Sequence, residues 1–206
     1  YTSTIGSLVH LQFLKSGTVA KRLDKTLEGC FILFDSLQDK DTTKVLAASK
    51  IPTLEALKQL EKYGVKGVED FLEDPNKKSL IDKLDDYKKR KLTANINNYR
   101  ILRQGLELLN APYTDTIKLG ELIYEHHKNL RDGLEVSTPV IEKILDAALA
   151  AGGLGGKVNG SGGGGCLFVY ADNKDAEKII EASKSLGYPA MVLKNDTGVR
   201  LDRIEG

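Results

Sequence analysis

The chain has 206 residues, 41% apolar and 29% charged, an ordinary balance for a globular protein holding one large domain, or one small domain plus part of another. A net charge of +1, from 30 Lys and Arg against 29 Asp and Glu, speaks against a nucleic-acid binder and against a polybasic membrane anchor. No apolar run reaches transmembrane length. Cys30 and Cys166 lack a CxxC partner, so they read as two buried thiols of a reducing cytoplasm rather than a disulfide framework.

In chain order, Leu8 to Leu14 alternates apolar and polar residues, Ser16-Gly17 marks a turn, and Thr18 to Leu23 comes next, which is a hairpin pattern. Cys30 to Phe34 is a continuous apolar run, as in a strand buried on both faces, and it ends in Asp35-Ser36. The middle reads as helices. Leu54, Leu57 and Leu60 share a face, with breaks at Gly64 to Gly67 and at Pro75-Asn76. Ser79 is a candidate cap for the next helix, whose apolar positions recur from Leu84 to Leu109. The basic run Lys88 to Lys91, close to Asp82, Asp85 and Asp86, reads as a solvated face.

Another helix spans about Thr114 to Leu130. Ser137-Thr138-Pro139 then announces the next, with a hydroxyl cap and then Pro where its missing N–H costs nothing. Ile141, Ile144, Leu145, Ala148 and Leu149 give that helix a buried face, and Gly152-Gly153 stops it. After a short strand near 157–159, Leu167 to Ala171 reads as a strand and Ala176 to Leu186 as a helix. Ala190 to Lys194 and Gly198 to Ile204 read as a closing antiparallel pair. Strand pairs separated by helices define an α+β layer fold, an open sheet with helices on one face.

The most informative string is VNGSGGGGC, Val158 to Cys166. Gly160, Gly162, Gly163, Gly164 and Gly165 free the backbone for positive φ, and consecutive N–H groups can form an anion-binding nest. No Lys-Ser/Thr comes after it, so it is not a Walker loop; it leads into a strand rather than a helix, so it is not a dinucleotide fingerprint. A tight strand connection without a ligand is the alternative reading. The string LGGKVNGSGGGGCLFVY resembles the third conserved motif of the GHMP kinases, the superfamily of galactokinase, homoserine kinase, mevalonate kinase and phosphomevalonate kinase. That resemblance places Gly160, Ser161 and Gly162 to Gly165 at the active site, supporting the phosphate and substrate pocket.

A second string, Gly120 to Leu145, resembles the galactokinase segment in which a helix ends in His, then Leu-Arg-Asp, then Glu-Val-Ser, then Pro. His127, Leu130, Arg131, Asp132, Glu135, Val136, Ser137 and Pro139 carry the match, with Gly133 where an acidic residue is common. Arg131, Asp132 and Glu135 are therefore expected to support the site, or simply to buttress the helix junction. Tyr1 to Phe13 resembles the stretch of galactokinases immediately after their Met-Asp-Gln segment. By that likeness no catalytic residue lies in this chain: the catalytic Asp is expected just upstream of Tyr1, and the main phosphate loop is absent as well. The resemblance implies residues 1–50 as a remnant of the N-terminal lobe and residues 51–206 as a ferredoxin-like C-terminal domain.

It further implies ATP with Mg²⁺ as cofactors, a small-molecule sugar as the other partner, no nucleic acid or membrane partner, and a cytoplasmic location. The implied function is ATP-dependent phosphorylation of a sugar hydroxyl, by a fragment expected to be inactive alone. The alternatives are a GHMP kinase acting on a sugar phosphate such as a heptose phosphate, or on a non-sugar alcohol, or a non-catalytic galactokinase-like regulator. Asp35, at a strand end, is a candidate substrate contact or a turn residue. The stretch Asp35 to Ser49 lacks the Tyr that contacts sugar in galactokinases. His126 and His127 are neighbours pointing about 100° apart, which excludes a zinc helix on that pair; no metal site is expected. A side chain at Gly163 or Gly164 is expected to fill space reserved for ligand.

Overall fold

In the computed structural model, which describes Gly6 and residues 8–14, 16–23 and 25–194, the opening alternation folds as a hairpin. β1 (Leu8–Leu14) and β2 (Gly17–Leu23) pair antiparallel as a separate two-stranded sheet, with Leu14 opposite Gly17 at the turn. The expected strand Gly198 to Ile204 lies outside the described residues.

The main sheet has four strands: β3 (Cys30–Asp35), β4 (Gly153–Val158), β5 (Cys166–Ala171) and β6 (Ala190–Leu193). Their order is β4-β5-β3-β6, and every neighbouring pair is antiparallel. In chain order, the first and third strands lie at the centre, and the second and fourth at the edges. That is the ferredoxin-like arrangement, with a helical block between its first two strands. β3, which the sequence groups with residues 1–50, is thus hydrogen-bonded inside the C-terminal sheet.

β3 is not buried on both faces, as its apolar run suggests. Only Cys30, Ile32 and Phe34 are buried, while Phe31 and Leu33 are half-buried. An antiparallel sheet covered by helices on one side alternates in burial even when its sequence does not. The other face keeps its apolar residues for an aromatic cluster, in which Phe31 sits 5.6 Å from Phe168 and 5.0 Å from Tyr170.

The helices are α1 (Thr42–Leu60), α2 (Asp70–Glu73), α3 (Asp86–Asn110), α4 (Thr116–Lys128), α5 (Pro139–Ala150) and α6 (Ala176–Ser185). Asp41, Asp85, Asp115 and Thr138 cap α1, α3, α4 and α5, each accepting a backbone N–H three residues on. Ser79 is not a cap; it lies within a 3₁₀ segment, Pro75–Lys83, and Asp85 takes the role. Leu54 points to solvent, because α1 buries the face of Thr53, Ala56 and Leu60 instead. Those side chains join Val65, Phe71, Leu84 and Leu92 in a helical core of their own. The larger core lies between the sheet (Ile32, Phe34, Val158, Leu167, Val169) and Ile141, Ile144, Leu145 and Ile179 of α5 and α6.

β4 owes its glycines to α4. A Cβ on Gly155 would collide with the carbonyl oxygen of Gly120, and one on Gly120 would sit 2.5 Å from the Leu154 oxygen. The two backbones therefore touch, and α4 lies along the outer edge of the sheet. No described helix is long and apolar enough to cross a membrane.

Candidate functional site

The glycine loop joins β4 to β5, and all five of its glycines, Gly160 and Gly162 to Gly165, have positive φ between 70° and 138°. Only glycine adopts a run of such conformations without strain. The Asn159 N–H donates to the Cys166 carbonyl at 2.9 Å and closes the neck of the loop. Two other groups hold the loop from outside. The Gly163 N–H donates to the Val136 carbonyl at 2.8 Å, and the Gly165 N–H to the Gln38 carbonyl at 3.0 Å. The Ser36 N–H in turn donates to the Gly165 carbonyl at 2.9 Å. The loop is thus clamped between the strand-end segment 36–45 and the Glu-Val-Ser segment. Two of its amides serve that clamp, so they are not part of an open nest.

This clamp corrects the reason for the missing side chains. A Cβ on Gly163 would lie 2.6 Å from Val45 Cγ2, and one on Gly164 would lie 2.9 Å from the Gln38 carbonyl oxygen. The space beside these two residues is filled by the protein itself. Gly160 and Gly165 face Lys40 instead, whose Nζ lies 3.6 Å and 3.0 Å from the positions a Cβ would take. Ser161 Oγ donates to the Gly162 carbonyl at 3.3 Å. The Ser36 hydroxyl, buried beside Gly165, has no hydrogen-bond partner among the described residues.

Asp35 ends β3 opposite Cys166 and is exposed. Its Oδ1 accepts the Leu37 N–H at 2.9 Å, an Asx turn that turns Leu37 to a φ of +55°. Asp35 therefore shapes the segment that leads to Gln38 and Lys40.

The residues expected to support the site gather at the end of α4. There the helix widens into one π turn, Asn129–Gly133. Gly133 is buried against α3, and a Cβ there would run into Ala94 Cβ, which explains why no acidic residue stands at this position. Arg131 donates to both oxygens of Asp132, at 2.7 and 2.9 Å, and to Glu142 Oε2 at 3.2 Å. The Arg131 hydrogen bond holds the Asp132 carboxyl below its ordinary pKa. Glu135, at a φ of +59°, is held by Lys91 at 2.7 Å and Arg90 at 3.0 Å. Those contacts, Lys91 foremost, lower its pKa as well. Lys91 is buried and also binds the Leu134 carbonyl at 2.8 Å, so only part of the basic run is a solvated face.

Glu142 is the hub that sequence reasoning missed. Its carboxylate receives Ser137 Oγ, Arg131 and His127 Nε2, the last at 2.8 Å. Burial alone would raise its pKa, and these donors outweigh burial and lower it. His127 is fully buried, and its Nδ1 accepts the Val158 N–H at 3.3 Å. His126 and Lys157 line an apolar cavity of about 440 Å³ with Tyr99, Leu102 and Leu122. Burial, with Lys157 and His127 nearby, pushes the His126 pKa down to about 4. Burial also lowers Lys157. Among the described residues, no group of three or more His, Cys, Asp or Glu is placed to hold a metal ion.

The missed residues carried weak signals. Lys40 and Gln38 lie in a turn with no motif, and Glu142 reads as an ordinary first-turn acid of a helix. The Thr138 hydroxyl was legible as a cap, but its second bond, to Gln38 at 2.6 Å, spans a separation that no local pattern announces.

The ferredoxin-like sheet thus carries a clamped glycine loop between its edge strand β4 and the central strand β5. Residues 105–188 match the family model described as GHMP kinases C terminal. The chain is 35% identical over 88 residues to the mevalonate kinase of Thermococcus onnurineus, covering 43% of this chain and 26% of that protein. It is 34% identical over 68 residues to the galactokinase of Streptomyces coelicolor, covering 33% of this chain and 18% of that protein. The fold is galactokinase-like. It superposes on the galactokinase of Lactococcus lactis, solved with galactose, with a TM-score of 0.68 at 18% identity, covering 89% of this chain and 49% of that one. The chain thus spans about half of that solved protein, and its matches cover about a quarter or less of these curated relatives.

Proposed function

We propose that the chain is the C-terminal part of an ATP-dependent kinase that phosphorylates a hydroxyl of a small sugar. The observation that carries this reading is the direct joining of the two family strings: the Val136 carbonyl of the galactokinase-like segment holds the Gly163 N–H of the glycine loop. Phosphoryl transfer depends on positioning and on positive groups around the phosphates. ATP with Mg²⁺ would supply the transferable phosphoryl group. The residues suited to its anionic end, or to an anionic acceptor, are Gly160 to Gly165 with Ser161 and the Lys40 ammonium beside Gly160 and Gly165. In this reading Asp35 orients the Lys40 segment through its turn. Arg131, Asp132 and Glu135 support the loop through the Glu-Val-Ser segment. The hairpin β1–β2 is the part of residues 1–50 that fits an N-terminal lobe, and the catalytic base lies upstream of Tyr1.

A second reading, an acceptor of the mevalonate type, is favoured by the Thermococcus mevalonate kinase likeness and by the missing Tyr between Asp35 and Ser49. A panel of hexoses, sugar phosphates, mevalonate and homoserine, assayed with Mg-ATP and the full-length protein, decides between them. A monosaccharide as the best acceptor supports the first reading; mevalonate as the best acceptor replaces it. Residues 1–206 assayed alone are expected to release no ADP in a sugar-dependent manner.

A further inference from the structure

We propose that His127 is a positioning residue: in its neutral form, with the proton on Nε2, it ties the last residue of β4 to Glu142 and so fixes where the chain passes into the glycine loop.

The geometry selects the tautomer. A ring nitrogen that accepts a hydrogen bond carries no proton, and Nδ1 accepts the Val158 N–H at 3.3 Å. The single proton of the neutral ring therefore sits on Nε2, which donates to Glu142 Oε1 at 2.8 Å. Glu142 cannot drift, because Ser137 Oγ and Arg131 also bind it. The ring is fully buried at the last turn of α4, with Tyr124 stacked beside it at 6.2 Å. One imidazole thus bridges α4, the first turn of α5 and the outer edge of β4. Val158 stands two residues before Gly160. On its inner side the same strand end is held by the Asn159 to Cys166 hydrogen bond. The neck of the loop hangs from these two points.

A second proton on His127 would have to occupy Nδ1, where it would face the Val158 N–H. Two donors cannot share that line, so the charged ring and the anchored strand exclude each other. The charged and titratable groups around the ring divide. Glu142 of α5 favours the charged form. Arg131 and Lys157 oppose it, His126 lies next to it on α4, and Asp132 is already occupied by Arg131. Burial is the largest influence and favours the neutral ring. Acid therefore loosens the neck of the loop by breaking the bond between His127 and Val158. The catalytic consequence rests on the kinase reading given above, whereas the tautomer and the strand anchor do not.

The test has two arms. In the intact, ¹⁵N-labelled protein near neutral pH, long-range proton–nitrogen correlations should show His127 with a bare Nδ1 and a protonated Nε2. An Nδ1-protonated or doubly protonated ring overturns the proposal. His127→Gln keeps one acceptor and one donor, whereas His127→Leu keeps only the burial. Exchange of the Val158 amide should stay slow in the Gln variant and quicken roughly tenfold or more in the Leu variant, as for loss of an anchoring bond. Equal exchange in both variants overturns it. In the kinase assay His127→Leu should lower kcat/KM by roughly tenfold or more, because small displacements of a site are costly. His127→Gln should restore most of that loss and flatten the acid limb of the pH profile. An unchanged acid limb in the Gln variant overturns the proposal. If His127→Leu does not fold, the tautomer and the Gln variant decide. If no acceptor is phosphorylated at all, the kinase reading fails, and the tautomer and amide exchange still judge the anchor.

Discussion

Gly153, Gly155 and Gly156 of β4 and Gly160 to Gly165 of the loop are neighbours in sequence, yet they are glycine for different reasons. The strand glycines, with extended backbones, make room: α5 approaches Gly153 and Gly156, and α4 lies directly on Gly155. The loop glycines all have positive φ, and what they give is backbone conformation. The first stretch is a packing surface, and the second is a shaped connection held by hydrogen bonds. A glycine-rich string therefore carries two kinds of information, and Val158, anchored to His127, marks the boundary between them.

Substitutions should separate the two kinds. The largest effect is expected for Gly155→Ala, whose Cβ would meet the Gly120 backbone. Because no flexible side chain can yield, the loss of stability should be about 3 kcal/mol or more, read by denaturant unfolding. A near-normal midpoint would show that α4 can lift from β4.

Acidification probes the helix that those glycines admit. His126 and His127 both have lowered pKa values in the fold, so the unfolded chain binds more protons below its ordinary His pKa near 6.5. Stability is therefore complete above that pH and falls as pH drops toward about 4, where His126 protonates in the folded state. The loss from His126 should be on the order of 2 kcal/mol, and replacing it with Leu should remove that part of the acid limb.

Next comes Gly162→Ala, where left-handed φ and a collision with the Val136 carbonyl coincide. The expected cost is about 2 kcal/mol, concentrated in the loop and visible as faster exchange of the Gly163 amide rather than global unfolding. Gly160→Ala should be mildest, since only the end of Lys40 lies near. Backbone strain alone predicts about 1 kcal/mol, a fall in Tm of roughly 2–4 °C. Equal losses at Gly155 and Gly160 would erase the distinction between the two stretches.

The sequence made much of this legible where signals are local. The hairpin of Leu8 to Leu23, the Thr138-Pro139 start of α5, the stop at Gly152 and the β5–α6–β6 order all rest on patterns of a few residues, and the structure agrees with each. Failures came where a distant partner decides. Leu54 and Leu60 look alike until α3 chooses which side of α1 to cover. Ser79 and Asp85 are both capping types, and the 3₁₀ turn settles the choice. At the site, the glycine string and the Leu130 to Pro139 string could be recognised, but not that Val136 holds Gly163. Nor could Lys91 be seen to bury itself against Glu135, since that pair meets only through tertiary packing.

The helical block has a consequence for how the chain folds. β3 must find β5, pairing Cys30 with Ala171 and Asp35 with Cys166, strands roughly 130–140 residues apart along the chain. Closing so long a loop is slow compared with forming contacts between sequence neighbours. The intervening helices α1 to α3 have their own apolar cluster around Leu60, Phe71 and Leu92 and need no strand to assemble it. Pulse-labelling during refolding should therefore find amides of α1 and α3 protected before those of β3, with the glycine loop among the last parts to acquire its native clamp. An early-protected β3 would mean that the sheet nucleates first, with the helices closing over it.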